Sequence, residues 1–165
     1  MTQRFRKTQI FFAMLGAIVA ISALAYVATS TKGLMLLGSF GASSLLLFAL
    51  PEAPLSQPRS VIGGHFLAST IAVLCLAAFG QQWWAIGLAT GLGIGAMMAT
   101  RTVHPPAGSN AIIVFLAKPT WLFLVGSTVS GAVTLVLIAV FYHRVTKRHR
   151  YPLYWRRAPL VPAQA

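Results

Sequence analysis

The stretch "RTVHPPAGSNAIIVF", residues 101–115, sets a cation, an imidazole, two prolines and a run of small residues between long apolar blocks. Each proline disfavours helical backbone in the residue before it, so His104 and Pro105 are predicted to be extended. Pro106 then suits the first position of a helix, where a missing N–H leaves no donor unpaired. The next amides, on Ala107 and Gly108, have no acceptor inside such a helix, and these residues are small enough for another group to reach the backbone. A helix start of this kind carries partial positive charge and attracts anions. His104, Ser109 and Asn110 add side-chain hydrogen-bonding groups. The apolar run behind Pro106 covers only about 18 Å as a helix, too little to span ~30 Å of hydrocarbon.

The surroundings of this stretch decide the fold class. Of the 165 residues, 57% are hydrophobic and 8% charged, and the mean hydropathy is +0.76. A soluble domain carries about a quarter charged residues, so this chain lacks the polar shell that water requires. It reads as an all-α polytopic membrane protein. Four long apolar segments (10–30, 61–79, 83–100 and 120–142) alternate with two short or re-entrant ones (34–50 and 106–117). The order long, short, long therefore occurs twice, in halves 10–80 and 83–142. Sliding the chain by 66 positions lays "GSFGASS" (38–44) over "HPPAGSN" (104–110), with Ser43 over Ser109. Three segments per half would make the halves inverted, as in many transporters.

The net charge of +12 sits mainly outside these segments. Arg4, Arg6 and Lys7 belong to a basic stub, 1–9. Arg144, Lys147, Arg148, Arg150, Arg156 and Arg157 belong to a basic tail, 143–165, interleaved with Tyr151, Tyr154 and Trp155. That pattern predicts two cytoplasmic termini in a bacterial inner (plasma) membrane, with the tail against anionic lipids, and not nucleic-acid binding. Two cytoplasmic ends demand an even number of crossings; with six, Arg59 and Arg101 lie inside, and Lys32 and Lys118 outside. "QRFRK", an apolar run and "ALA" at 23–25 have the anatomy of a signal peptide. The run continues to about residue 30, however, and reads as a retained span.

The first short segment has its own helix start. Ser39 is predicted to cap it, followed by the amides of Phe40, Gly41 and Ala42, with Ser43 and Ser44 just beyond. Two such starts could face one site near the midplane, with Arg59 and His65 from "QPRSVIGGH" and Arg101 close by. Glu52 is the only acid in the chain, so at most one cation has a carboxylate partner, and the site's sign favours an anion. The candidate binding set is Arg101, His104, Pro105, Pro106, Ala107, Gly108, Ser109, Asn110, Ser39, Gly41, Ala42, Ser43, Arg59 and His65. The plainer alternatives are a helix break that merely packs, arginines that mark topology by snorkelling, and a His65 that only bonds between helices. "GLATGLGIGA" (87–96) reads as a helix-packing face, His143 and His149 as parts of the tail, and Gln81 to Trp84 as a turn with interfacial anchors. One carboxylate rules out paired-acid catalysis, and Cys75 alone with four scattered histidines offers no metal site or disulfide. No cofactor and no enzyme activity are expected.

"LLGSFGASSLLLFALPEAPLSQPRSVIGGH" (36–65), followed about forty residues later by "HPPAGSNA" (104–111), resembles the HPP family of integral membrane proteins. The resemblance covers about residues 34–142 and rests on "GSFGAS", "QPR" with "IGGH", and "HPPAG" in that order. It implies four membrane spans and a small-anion transporter or channel. Nitrite is the implied substrate, since plant chloroplast and cyanobacterial members are associated with its transport. The competing expectation is a membrane scaffold or accessory subunit that oligomerises through glycine-rich faces. A chain this small has little bulk to enclose a pore alone, so a homo-oligomer is expected in either case.

Overall fold

The structure, a computed structural model, describes residues 5–30, 38–122 and 124–155. Arg4, Lys32, Arg156, Arg157 and the first residues of the segment predicted at 34–50 lie outside them. Six α-helices follow in order: α1 (Lys7–Ser30), α2 (Ser39–Ala49), α3 (Pro58–Phe79), α4 (Trp83–Ala99), α5 (Asn110–Ala117) and α6 (Ser130–Thr146). Short 3-10 turns at Pro54–Ser56 and Pro105–Ser109 lead into α3 and α5, and a π-helical stretch, Leu124–Val129, leads into α6. No strand occurs among the described residues.

Three helices are long and apolar enough to cross a membrane: Lys7–Ser30, Pro58–Phe79 and Gly126–Thr146. Four were expected. The difference is α4, whose 17 residues rise only about 25 Å. It stops early because its end is tightly closed. The Thr102 amide returns to the Met97 carbonyl at 2.8 Å and the Arg101 amide to that of Met98 at 3.2 Å. These two bonds form a Schellman motif, with Arg101 in the left-handed position at φ 57°. Lys118 and Lys147 close α5 and α6 with the same hand, at φ 47° and 50°. A cation thus stands where the carbonyl end of each helix carries partial negative charge.

Contacts between helix ends fix the direction of each element. Arg6 and Arg148 line one pocket, so the start of α1 and the end of α6 lie together. The end of α2 joins them, since His143 Nε2 donates to the Leu47 carbonyl at 2.9 Å. Arg59 donates to the Thr100 carbonyl at 2.8 Å, bringing the start of α3 beside the end of α4. At the far end, Gln81 Nε2 donates to the Phe115 carbonyl at 2.8 Å. The six helices therefore alternate in direction. Ser39 and Pro105 begin the two short helical segments, Pro58 and Leu124 the two long ones that follow, and each pair stands 66 positions apart.

The end that holds Arg6, Arg59, Arg101 and Arg148 is tied by a buried loop. The Ser56 hydroxyl meets the carbonyls of Leu46 and Leu50 at 3.0 and 2.7 Å. Gln57 Nε2 bonds the carbonyls of Pro51 and Ala53, and its Oε1 accepts the Leu153 amide. The Tyr151 hydroxyl donates to the Ser56 carbonyl at 2.9 Å, and burial pushes this phenol upward. The boundary drawn at 142/143 falls inside α6, which runs on to Thr146, and the segment beyond folds back onto the loop. His143 accordingly belongs to the core rather than to a tail.

Small residues set the closest approaches. Gly16, Ala20, Leu24 and Ala28 form the buried stripe of α1, with Gly16 beneath the Phe48 ring. Gly93 of α4 faces Ala68 of α3, whereas Gly87, Gly91 and Gly95 meet open space. The "IGGH" glycines admit the chain between α4 and α5: a Cβ on Gly63 would stand 2.9 Å from Thr102 Cγ2. One on Gly64 would stand 2.8 Å from His104 Cβ and 3.0 Å from the Thr102 carbonyl. Gly64→Val should therefore lower stability by about 2–3 kcal/mol through overpacking. Gly108→Ala, where a Cβ meets nothing within 4 Å, should change it little. Thermal unfolding in detergent compares the two.

Candidate functional site

His104 ends the linker after α4 in extended backbone, φ −142° and ψ 96°, and Pro105 opens the 3-10 turn behind it. With Gly64 admitting it, the His104 ring lies beside α3 and reaches two partners. Its Nδ1 stands 2.7 Å from the Leu55 carbonyl and its Nε2 2.8 Å from Ser43 Oγ of α2. Ser43 Oγ is also 3.0 Å from His65 Nε2 of α3, and His65 Nδ1 is 3.0 Å from Asn110 Nδ2 at the start of α5. Asn110 Nδ2 continues to Ser69 Oγ at 2.8 Å, which accepts from Thr128 Oγ1 at 3.2 Å. The last bond comes from the π-helical stretch, a form enriched at functional sites.

The hydrogens of this string can be assigned from its ends. A carbonyl only accepts, so His104 Nδ1 carries a hydrogen toward Leu55 and, in the neutral ring, Nε2 accepts from the Ser43 hydroxyl at 2.8 Å, a shorter contact than that hydroxyl's 3.1 Å to the Ser39 carbonyl of its own helix. With that hydrogen used, His65 Nε2 donates to Ser43, and His65 Nδ1 accepts from the Asn110 amide. Every donor then points the same way, from Asn110 to Leu55. Ser43, His65, Ser69, His104, Asn110 and Thr128 are all at 0% exposure, and the bonds close with both rings uncharged. Phe40 and His104 each set a ring against His65 at 5.0 Å between centroids. Three buried polar atoms nearby on the same helices have no hydrogen-bond partner: Asn110 Oδ1, Ser39 Oγ and Thr70 Oγ1.

The string unites four of the predicted residues, Ser43, His65, His104 and Asn110, and omits the others. Pro105, not Pro106, holds the first helical position, because a 3-10 turn begins one residue earlier than an α-helix would. That turn also closes on itself: the Ala107 amide donates to the His104 carbonyl at 3.0 Å, and the Gly41 amide to that of Gly38 at 3.2 Å. These amides, predicted to lack acceptors, have them. Ser39 lies within α2 instead of capping it, the cap position being Gly38. The Ser109 hydroxyl turns back to the Pro106 carbonyl at 2.8 Å. Gly41 and Ala42 are exposed on α2, and Pro106 and Ala107 are buried.

The two arginines stand outside the string, in separate surface pockets. Arg101 shares a shallow cavity of about 350 Å³ with Leu55, Val103 and Tyr154, and Leu55 is also the residue whose carbonyl meets His104. Arg59 is half-buried and closes α4 through the Thr100 carbonyl. Ser69, Thr128 and the Leu55 carbonyl were missed by sequence reasoning. A hydroxyl in an apolar helix gives no sign of its facing, and a backbone carbonyl gives none at all. Among the described residues, no group of three or more His, Cys, Asp or Glu could hold a metal.

Alternating apolar helices around an uncharged polar string define a polytopic integral membrane protein. The chain belongs to the HPP family, whose transmembrane-region model matches residues 2–152. Two curated relatives, both described as transmembrane proteins of Dictyostelium discoideum, are similar to it. One is 33% identical over 147 residues, covering 84% of this chain and 47% of the relative; the other is 36% identical over 129 residues, covering 73% and 45%. The chain thus spans about half the length of these relatives. No solved structure matches it.

Neighbouring serines of α2 offer a controlled test of the string. Ser43→Ala removes the group that joins both imidazoles and strands a buried donor. It should cost about 2–3 kcal/mol, whereas the Ser44 hydroxyl bonds only the Phe40 carbonyl of its own helix, and Ser44→Ala should cost under about 1 kcal/mol. Denaturant unfolding of the two variants in the same detergent measures the difference.

Proposed function

We propose that this protein carries a small inorganic anion, nitrite in the first place, across the membrane along the Leu55-to-Thr128 string. One observation carries the reading: a continuous, acid-free line of polar groups leads from the carbonyl of Leu55, a residue that also lines the Arg101 cavity, to the middle of α3. Arg101 raises the local anion concentration at the mouth, and hydroxyl and imidazole donors replace water along the path. An anion enters by taking the Ser43 and His65 hydrogens that the string spends on itself when empty. Ser39, with a buried and unpartnered hydroxyl one turn from Ser43, supplies a further donor. Resemblance to HPP members associated with nitrite transport names the substrate.

The arrangement in the bilayer follows the same lines. In this reading α4 is the fourth crossing, its ~25 Å extended by Trp83 and Trp84 at one interface and Arg101 at the other. The alternating directions and the 66-residue offset support an inverted repeat, α1–α3 against α4–α6. Both chain ends face the cytoplasm of a bacterium, with Arg59 and Arg101 on that side. A homo-oligomer is supported by Gly87, Gly91 and Gly95, which leave an open face on α4 at four-residue spacing, the pattern on which membrane helices pair. The same face serves the competing reading, a scaffold that assembles but does not transport.

Nitrite flux into proteoliposomes separates the two readings. Arg101→Asn keeps a residue that accepts the left-handed backbone while removing the charge. It should lower flux by about tenfold at low ionic strength and less as salt rises. Unchanged flux would reduce Arg101 to a topology marker, and no flux from the wild type would leave the scaffold. Reporter fusions placed before residue 5 and after residue 155 should both report the cytoplasm. Gly91→Leu should shift the protein toward the monomer in light-scattering measurements without lowering its melting temperature.

A further inference from the structure

Away from the polar string, two pockets meet where α1, α2 and α6 come together. The first, about 350 Å³, is polar and lies at the ends of the long helices, with Arg6 just ahead of α1 and Arg148 just beyond α6. The second, about 340 Å³, is an apolar groove between α1 and α2, lined by Ile10, Met14, Ala17 and Leu45. Gln9, Phe48 and His149 line both, so the two are continuous.

The polar pocket is short of partners in a particular way. Arg148 sits over the Phe12 ring, its Cζ 3.7 Å from the ring centroid, so the cation is held in this pocket. Glu52, the only acid in the chain, stands 3.4 Å from His149 Nδ1. The first-turn amides of α1 add their positive end to the same spot, with the Arg6 amide held by Gln9 Oε1. His143 lines the pocket at 3% exposure; its Nε2 is engaged by the Leu47 carbonyl, and its Nδ1 has no partner. With the hydrogen on Nε2, Nδ1 is an acceptor and calls for a hydroxyl. An oxyanion beside a hydroxyl, at headgroup depth and above an apolar groove, is the chemistry of one ligand class.

We propose that this double pocket holds one acidic glycerophospholipid with a hydroxylated headgroup, its phosphate on Arg6 and Arg148, its hydroxyl on His143 Nδ1 and an acyl chain along α1 and α2. The site does not rest on the transport reading, because it shares no residue with the string. From Arg6 the groove descends about 16 Å to Ala17, roughly half the hydrocarbon thickness, as a chain from one leaflet would. The lipid fills the space between α1 and α2 that the helices leave open.

Native mass spectrometry of the full chain released from nanodiscs of mixed phosphatidylglycerol and phosphatidylcholine tests this. One phosphatidylglycerol should stay on each chain in preference to phosphatidylcholine. The double variant Arg6→Gln/Arg148→Gln should lower that retention by about tenfold or more. Met14→Trp, an exposed position that fills the groove, should lower lipid retention while leaving glycerol 1-phosphate binding unchanged. Equal retention of both lipids, or an unaffected double variant, would overturn headgroup recognition. Displacement by glycerol 1-phosphate at concentrations equal to the lipid's would assign the pocket to a free phosphate ester and overturn the lipid. A lipid-free dimer with the groove protected would give the site to a second copy. Should the double variant not fold, the comparison of the two lipids on the wild type still decides.

Discussion

The fold depends on one constraint: imidazole, hydroxyl and amide groups buried among apolar helices must pair with one another. Each such group left dry costs several kcal/mol, and water is not at hand to share the load. Ser43 meets this demand for two helices and a linker at once, since its single oxygen stands within hydrogen-bond distance of His65 and His104. That triple junction fixes the rotation of α2 about its axis, the register of α3 and the depth of the linker after α4. Asn110 extends the same control to α5 and, through Ser69, to the π-helical entry of α6. Apolar packing fills the remaining space but has no comparable directional preference.

Close approach makes the pairing feasible. His104 reaches the string only because Gly64 has no Cβ to hold the linker away. The motifs "IGGH" and "HPP" are thus two halves of one contact, forty residues apart in sequence. Glycine closes α3 at Gly80, but α4, α5 and α6 are closed at positive φ by Arg101, Lys118 and Lys147. Each accepts some backbone strain and sets a charge against the helix's negative end.

Much of this was legible beforehand. Composition demanded a membrane, the six segments were visible in the apolar runs, and the awkward residues at 101–115 marked a break. Ser43, His65, His104 and Asn110 were all among the candidates, because polar groups in apolar runs are few. The local hydrogen bonding was not legible. A proline at a helix start serves an α-helix and a 3-10 turn alike, so nothing in "HPPAG" told that the Ala107 amide closes on His104. Gly41 and Gly108 looked like points of close approach, yet their neighbours in space stand back. The burial of Gln57, His143 and Tyr151 depends on a loop and a C-terminal segment that meet only in three dimensions.

The assigned direction of the hydrogen bonds has an electrical consequence. Imidazoles and hydroxyls in a row usually hand protons along, and such a row inside a membrane could drain the gradient across it. This row is stopped at each end. The Leu55 carbonyl can take a hydrogen bond but holds no proton to pass on, and the Asn110 amide does not readily surrender one. The two imidazoles are held between groups that do not exchange, so the string places polar groups deep among apolar helices without opening a route for protons.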